Sequence, residues 1–272
     1  MATDAKFSEL FKAVPNNLVV KVNGDGSEQG FRHVGFHIAE GIESELPKTK
    51  GFLGSEKSFL RQSKRILDFG SGLGRVILEL MDRAPKAEIT GFDIDPMMNR
   101  WAEHLLTGKK IKIVSSTLDL PDGHFDLITI VSVFTHLDKT TDFWLSEVHR
   151  LLSKNGFAFI TYMDDTLFEE MKTKGAHPKN ASTAAGKYVV GAESAEGGAG
   201  MGTYYTTPHW KQVLEKYFNV EVLKPRGLFR HQSISIVTRK DVQIDRLGLY
   251  RTYMASLEQE IYDLRRKHEI AY

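Results

Sequence analysis

Two acids and a run of alternating glycines carry the chemistry that this chain displays most plainly. Asp68 lies in the apolar run Ile66-Leu67-Asp68-Phe69, and Gly70, Gly72 and Gly74 follow at alternate positions around Ser71. Glycines so spaced make a tight turn whose bare backbone a ligand can approach. An amphipathic stretch starts at once, so the turn is also a helix N-terminus, with N–H groups and dipole aimed at the ligand. The second acid, Asp93, ends the next apolar run, Gly91-Phe92-Asp93-Ile94-Asp95, 25 residues beyond Asp68. A carboxylate there can accept from both hydroxyls of a ribose. A dinucleotide fingerprint needs glycine at position 75, which is Arg75.

The elements that must hold these residues alternate. Strands are expected at Ile66–Phe69, Ile89–Asp93, Ile111–Ser115, Phe125–Val133 and Phe157–Tyr162. Helices are expected at Arg75–Ala84, from the Asp95-Pro96 N-cap onward, and at Thr140–Leu152, stopped by Asn155-Gly156. This alternation implies βαβ units and a parallel sheet, with ligands at the carboxyl ends of the strands. After a helix opening at Thr207-Pro208, strands at Val220–Leu223 and Ser233–Thr238 are too close for a parallel crossover and should form a hairpin. The expected fold is α/β: a seven-stranded, mostly parallel sheet with helices on both faces and an antiparallel last strand. A helical segment over 1–60 precedes the 61–240 core and a helix over 241–272 follows it. Residues 164–203 break the rhythm, and their glycine-rich part, 191–200, suits a flexible insertion. Leu247, Tyr250, Met254, Leu257, Ile261 and Leu264 form a heptad seam suited to packing along its own domain, to a homodimer or to a docked partner.

Composition narrows the classes. Hydrophobic residues make up 41% and charged residues 26%, ordinary for a soluble globular protein. With 36 basic and 35 acidic side chains the net charge is +1, so no basic field favours nucleic acid or an anionic membrane. Cysteine is absent, which excludes disulfides, thiolate metal sites and a cysteine nucleophile. Neither a signal peptide nor a long apolar span is visible, and a cytoplasmic protein is expected.

The Asp68–Gly74 loop, Asp93 and the closing hairpin together resemble the class I S-adenosylmethionine (SAM) methyltransferases over residues 65–162 and, more loosely, 207–240. The resemblance implies SAM as cofactor, bound by Asp68, Gly70, Ser71, Gly72 and Gly74 of the loop and by Asp93 and Ile94 after the second strand. It also implies contacts from Ser116, Thr117 and Leu118 after the third strand and from Val131 at the methyl-bearing end. Ser116 stands where the family commonly has an aspartate for the adenine amino group. Val131-Ser132-Val133-Phe134-Thr135-His136-Leu137 and Gly30–Gly35 resemble members that modify sugars and polysaccharides.

Transfer to an oxygen needs a base for the leaving proton, and histidine suits that near neutral pH. His136, after the fourth strand, is the expected catalytic residue, ahead of His33 and His231. The expected acceptor is a small molecule or glycan. No metal is expected, because carboxylates are missing after the fourth strand until Asp138, and Asp164-Asp165 would need help from elsewhere. Asp95 suits a helix N-cap better than a ligand contact. Tyr204-Tyr205-Thr206-Thr207-Pro208-His209-Trp210 either walls an acceptor pocket or anchors a helix. An N-methyltransferase and a SAM-fold scaffold acting through its C-terminal helix are the alternatives, and an NAD-dependent oxidoreductase is disfavoured by Arg75.

Overall fold

Five of the apolar runs become neighbouring strands whose order reverses at the first of them. The computed structural model describes residues 5–50, 56–176, 182–191 and 200–269. It divides into two compact units, one of residues 1–131, 151–160 and 236–238, the other of 132–150, 161–235 and 239–272.

The first unit opens with α1 (Ala5–Lys12), α2 (Asn16–Asn23) and α3 (Glu28–Glu45). Phe7, Phe11, Val19 and Phe31 from these helices share one apolar cluster with Leu73, Met98 and Leu105. The polar turn after α2 forms as its sequence requires: Gly24 takes φ 81° and its N–H returns to the Val20 carbonyl. A short antiparallel pair, β1 (Lys48–Lys50) and β2 (Glu56–Ser58), and one turn of helix, α4 (Phe59–Gln62), lead to the core. There β3 (Arg65–Phe69), α5 (Arg75–Arg83), β4 (Glu88–Phe92), α6 (Pro96–Leu105), β5 (Ile111–Val114) and β6 (Phe125–Ile130) follow in turn. They are joined by the part of β7 (Leu152–Asp164) that ends at Ile160.

The strands lie in the order β5-β4-β3-β6-β7, every neighbour parallel. Ile66, Leu67, Leu127, Ile128 and Ile130 are fully buried, which explains their nearly unbroken apolar runs. Successive strands lie on opposite sides of β3, so its carboxyl end is the switch point where open α/β sheets bind ligands. Two boundaries differ from expectation. β6 stops at Ile130 and not Val133. β7 starts at Leu152, and so takes in the Asn155-Gly156 pair expected to stop a helix, with a register irregularity opposite Phe125–Leu127.

The second unit holds most of α7 (Thr141–Leu151), the last residues of β7, α8 (Asp165–Thr173), β8 (Ser182–Ala184), β9 (Lys187–Val190), β10 (Gly202–Tyr205), α9 (Thr207–Glu215), β11 (Phe218–Leu228), the start of β12 (Gln232–Arg239) and α10 (Arg246–Glu269). β10 runs parallel to the end of β7, and β9 and β8 add to it antiparallel. The sheet therefore has more strands than the seven expected, and most of the described residues of the 164–203 insertion are regular structure. Its order comes from a small core that single-residue periodicity does not display. Phe168, Tyr188 and Tyr204 pack together, with Phe168 and Tyr188 stacked at 4.4 Å. The stretch expected to be flexible lies, for residues 192–199, outside the described residues. β11 pairs with β12 across Phe229-Arg230-His231, a connection of hairpin length, as expected. Fully buried Trp210 anchors α9 by donating from Nε1 to Ser235 Oγ at 2.8 Å. Among the described residues no helix is long and apolar enough to cross a membrane.

Candidate functional site

The glycine loop of the first unit is drawn against β4 by its own backbone. The N–H groups of Gly70 and Ser71 both donate to the Phe92 carbonyl, at 2.7 and 2.9 Å. Gly72 and Gly74 have φ of 52° and 80°, the left-handed region where a side chain is strained. A Cβ on Gly74 would also meet Leu106 Cδ1 at 2.9 Å, so the loop can follow this path only with glycine there.

Asp93 joins the loop to the end of β4. Its Oδ2 accepts from Gly72 N at 2.8 Å and its Oδ1 from Asp95 N at 2.9 Å. Each oxygen keeps a second lone pair, so the carboxylate can still receive two hydroxyls. Burial pushes its pKa up, opposed by these two N–H bonds. Asp95 caps α6 by accepting from Met97 N at 2.9 Å and pairs with Lys21 at 3.1 Å, which is the capping role expected of it.

Asp68 is buried, and Oδ1 accepts from Thr129 Oγ1 at 2.8 Å. Burial pushes its pKa up to about 7, against the Thr129 bond and the Arg75 charge and with the Asp93 charge adding to the rise. Asp68 Oδ2 and Ser71 Oγ are buried polar atoms with no partner among the described residues. Such atoms are costly unless a ligand or water meets them, and here two lie beside the same loop.

Arg75 opens α5 with its guanidinium turned to the N-terminal helices. Nη1 donates to the Val22 carbonyl at 2.9 Å and to Asn23 Oδ1 at 3.0 Å. Burial lowers its pKa to about 10, opposed by Asp68. Beyond β4 and β5, Ile94 and Leu118 are apolar yet 57% and 67% exposed, apolar surface suited to the face of a heteroaromatic ring. Ser116 Oγ accepts from Leu118 N at 3.1 Å and shapes that turn, while Thr117 is buried. Val131, half-buried, follows the end of β6.

Residues 67–160 match the family model described as "Methyltransferase domain". The similarity to methyltransferases rests on that segment. The match spans β3 to the Ile160 end of β7, and so includes the glycine loop and Asp93. The chain is 41% identical over 113 residues to the malonyl-[acyl-carrier protein] O-methyltransferase of Geobacter sulfurreducens, covering 40% of this chain and 42% of that protein. It is 36% identical over 100 residues to the demethylmenaquinone methyltransferase of Thermus thermophilus, covering 34% and 44%. The chain thus matches less than half the length of these relatives. A SAM-dependent methyltransferase from Aquifex aeolicus shares the fold, with a TM-score of 0.54 at 14% identity over 84% of this chain and all of that one. The cofactor named for that Aquifex protein is SAM. The site suits it: a carboxylate with two lone pairs to spare, glycine backbone open to approach, unpartnered polar atoms and exposed apolar side chains occur together.

His136 belongs to the second unit, in a 3-10 turn over Phe134–His136. Its Nδ1 lies 2.7 Å from the Met201 carbonyl, so that nitrogen carries the proton in the neutral ring and the basic lone pair is on Nε2. The preceding Ser132 has φ 62°, uncommon for a residue with a side chain. Its N–H donates to Thr161 Oγ1 at 2.9 Å and its Oγ accepts from Gln232 Nε2. Gln232 Oε1 is buried with no partner among the described residues. Asp164 caps α8 through Leu167 N at 2.8 Å and accepts from Ser233 Oγ at 2.6 Å, so it serves the fold. Tyr204, Tyr205 and Trp210 are buried, and the aromatic segment is core and helix anchor, not a pocket wall. His33 and His231 are exposed.

Sequence reasoning missed Thr129, Arg75 and the Ser132–Gln232 pair. Thr129 sits opposite Asp68 in the β3–β6 register, which strand pairing could have exposed. Gln232 lies 100 residues from Ser132, and no local signal links them.

Proposed function

We propose that this protein transfers a methyl group from SAM to an oxygen of a small molecule or glycan. The observation that carries the reading is Asp93, which holds Gly72 and Asp95 by their N–H groups and keeps a lone pair on each oxygen. In this reading Asp93 receives the ribose hydroxyls, Ile94 and Leu118 flank the adenine, and Ser116 and Thr117 line its edge. Asp68 and Ser71 face the methionine end, with Gly70, Gly72 and Gly74 allowing close approach and Val131 lining the methyl-bearing end. Asp68 as a carboxylate matches a cationic amino group there.

When bound, SAM supplies an electrophilic methyl on a positively charged sulfur. The leaving thioether is neutral, so the protein's work is to orient the acceptor and accept its proton. His136 is the assigned base, because its Nδ1 bond to Met201 sets the tautomer with the lone pair on Nε2. Ser132 and Gln232 are assigned to acceptor positioning: the serine O–H and the unpartnered amide oxygen form a donor–acceptor pair that a hydroxyl can answer. An oxygen acceptor agrees with the O-methyltransferase among the relatives.

Calorimetry with SAM tests the reading. Wild type should bind, and Asp93→Ala should weaken binding on the order of 10- to 100-fold, the loss expected for hydrogen bonds to a charged group. Absence of binding by wild type refutes it. His136→Gln should leave SAM affinity intact and reduce turnover; equal turnover removes the histidine from the mechanism.

A further inference from the structure

The last helix of the second unit is packed at its start and bare at its end. Tyr253 of α10 lies flat on Phe143 of α7, rings 4.1 Å apart at 7°, and edge-on to Trp144 at 5.4 Å. Arg246 Nη2 reaches Glu147 Oε1 at 2.7 Å. These contacts secure the first two turns. Further along, every residue from Ile261 to Arg266 is exposed, including Ile261 at 49%, Tyr262 at 59% and Leu264 at 46%. A short helical stretch with solvent on all sides is marginal in water, because helices in proteins draw most of their stability from packing one face. Three large apolar side chains on such a stretch need a cover.

The pattern specifies that cover. Leu247, Met254 and Ile261 fall at heptad a, and Tyr250, Leu257 and Leu264 at d. The flanking e positions carry Arg251, Glu258 and Arg265 and the g positions Arg246, Tyr253 and Glu260, both signs, with Arg246 and Tyr253 already engaged by Glu147 and Phe143 of α7. A lipid surface or a partner of single charge would call for one sign. A helix with both signs can instead be its own complement. In a parallel, in-register pair, g of one heptad meets e of the next on the other helix, which sets Glu260 beside Arg265 in both directions. An antiparallel pair layered at Met254 and Leu257 would set Arg251 beside Glu258. That arrangement lays the bare end of each helix along the other's first turns, where α7 is already packed against Tyr253. The parallel arrangement joins the two bare ends and covers Leu257, Ile261 and Leu264 in successive layers.

We propose that α10 is a dimerisation helix that pairs in parallel with α10 of a second copy of this chain through Met254, Leu257, Ile261 and Leu264. The proposal does not depend on the methyl-transfer reading.

Sedimentation of the full chain tests it. At about 100 µM, where a dissociation constant of micromolar order gives mostly dimer, the mass should be twice the 30.7 kDa of one chain. A monomer at that concentration overturns the proposal. Ile261→Asp combined with Leu264→Asp changes only exposed side chains, so circular dichroism should confirm an intact fold. The dimer dissociation constant should then rise by more than about tenfold. A dimer that survives this change pairs elsewhere, and the proposal fails. Glu260→Arg and Arg265→Glu should each weaken the dimer about two- to fivefold, and together restore it. Restoration by Arg251→Glu with Glu258→Arg instead would establish the antiparallel pair and overturn the parallel one.

Discussion

The loop after β3 and the segment around Ser132 both gather polar groups, but they hold them by opposite means. In the first, main chain predominates: Asp93 is fixed by the N–H groups of Gly72 and Asp95, and the loop by the Phe92 carbonyl, with the Thr129 hydroxyl on Asp68 the side-chain exception. In the second, side chain meets side chain: Gln232 donates to Ser132, and Ser233 to Asp164. A main-chain cradle depends on glycines and strand ends and suits one unchanging ligand. A side-chain network is rewritten by a single substitution, so it suits the ligand that differs between enzymes. Cofactor binding and acceptor choice should therefore be separable by mutation.

Asp93→Ala tests that separation most severely. It removes the acceptor of two N–H groups together with the assigned ribose ligand, so SAM affinity should fall on the order of 10- to 100-fold. Gln232→Leu should leave SAM affinity within about twofold, since it removes no group assigned to the cofactor, while turnover falls on the order of tenfold. If Gln232→Leu also abolishes SAM binding, the two regions are one site and the comparison breaks.

The next effect is a pH dependence confined to the loop. Burial raises the pKa of Asp68 to about 7 from an ordinary 3.8. The folded protein thus keeps a proton between those values that the unfolded chain has released. Its contribution to stability is full below about pH 4, declines as pH rises, and is gone above about pH 7. Binding runs the other way. A cationic ligand group is matched only by the carboxylate, so SAM affinity should tighten by up to about tenfold per pH unit as pH approaches 7, then level off. Titration calorimetry from pH 5 to 8 should show this slope in wild type and not in Asp68→Asn. An identical slope in both would place the titrating group elsewhere.

How much was visible beforehand follows the same division. The loop, Asp93, the Asp95 cap and the hairpin were legible because each is written in adjacent residues: glycine spacing, Asp-Pro, or two apolar runs a few residues apart. The 164–203 insertion was illegible because Phe168, Tyr188 and Tyr204 meet only when a helix and two strands come together. Ser132 at φ 62° was illegible for another reason, since its residue type gives no hint of that backbone. Arg75 was noted only as the residue that is not glycine, though its guanidinium reaches 53 residues back to Val22.

Strain at Ser132 gives a smaller effect. Ser132→Val places a β-branched side chain in the left-handed region and should cost about 1–2 kcal/mol. A melting point lower by roughly 2–4 °C per kcal/mol would show it. Ser132→Gly relieves the backbone but removes the hydroxyl that Gln232 meets, so it should keep the melting point and lose turnover. Loss of both would mean that the hydroxyl serves only the fold.

The smallest expected effect lies where the N-terminal helices meet the loop. Arg75 Nη1 donates to Val22 O and Asn23 Oδ1, and Val22 Cγ2 would be the nearest atom, at 3.3 Å, to a Cβ on Gly72. The end of α2 therefore lies over the glycine loop, tied there by one guanidinium. Asn23→Ala removes one acceptor and leaves the Val22 carbonyl, so it should cost about 1 kcal/mol. Arg75→Lys keeps the charge but loses the guanidinium Nη1 that donates to both acceptors, and should cost slightly more. If α2 only packs, both variants should melt earlier with SAM affinity unchanged. If it helps to hold the loop in its binding shape, SAM affinity should fall by about two- to fivefold. Limited proteolysis should then cut near Gly24 faster without SAM than with it. Unchanged affinity would confine the loop's support to β4 and Asp93, and sharpen the contrast between a main-chain cradle and the side chains around it.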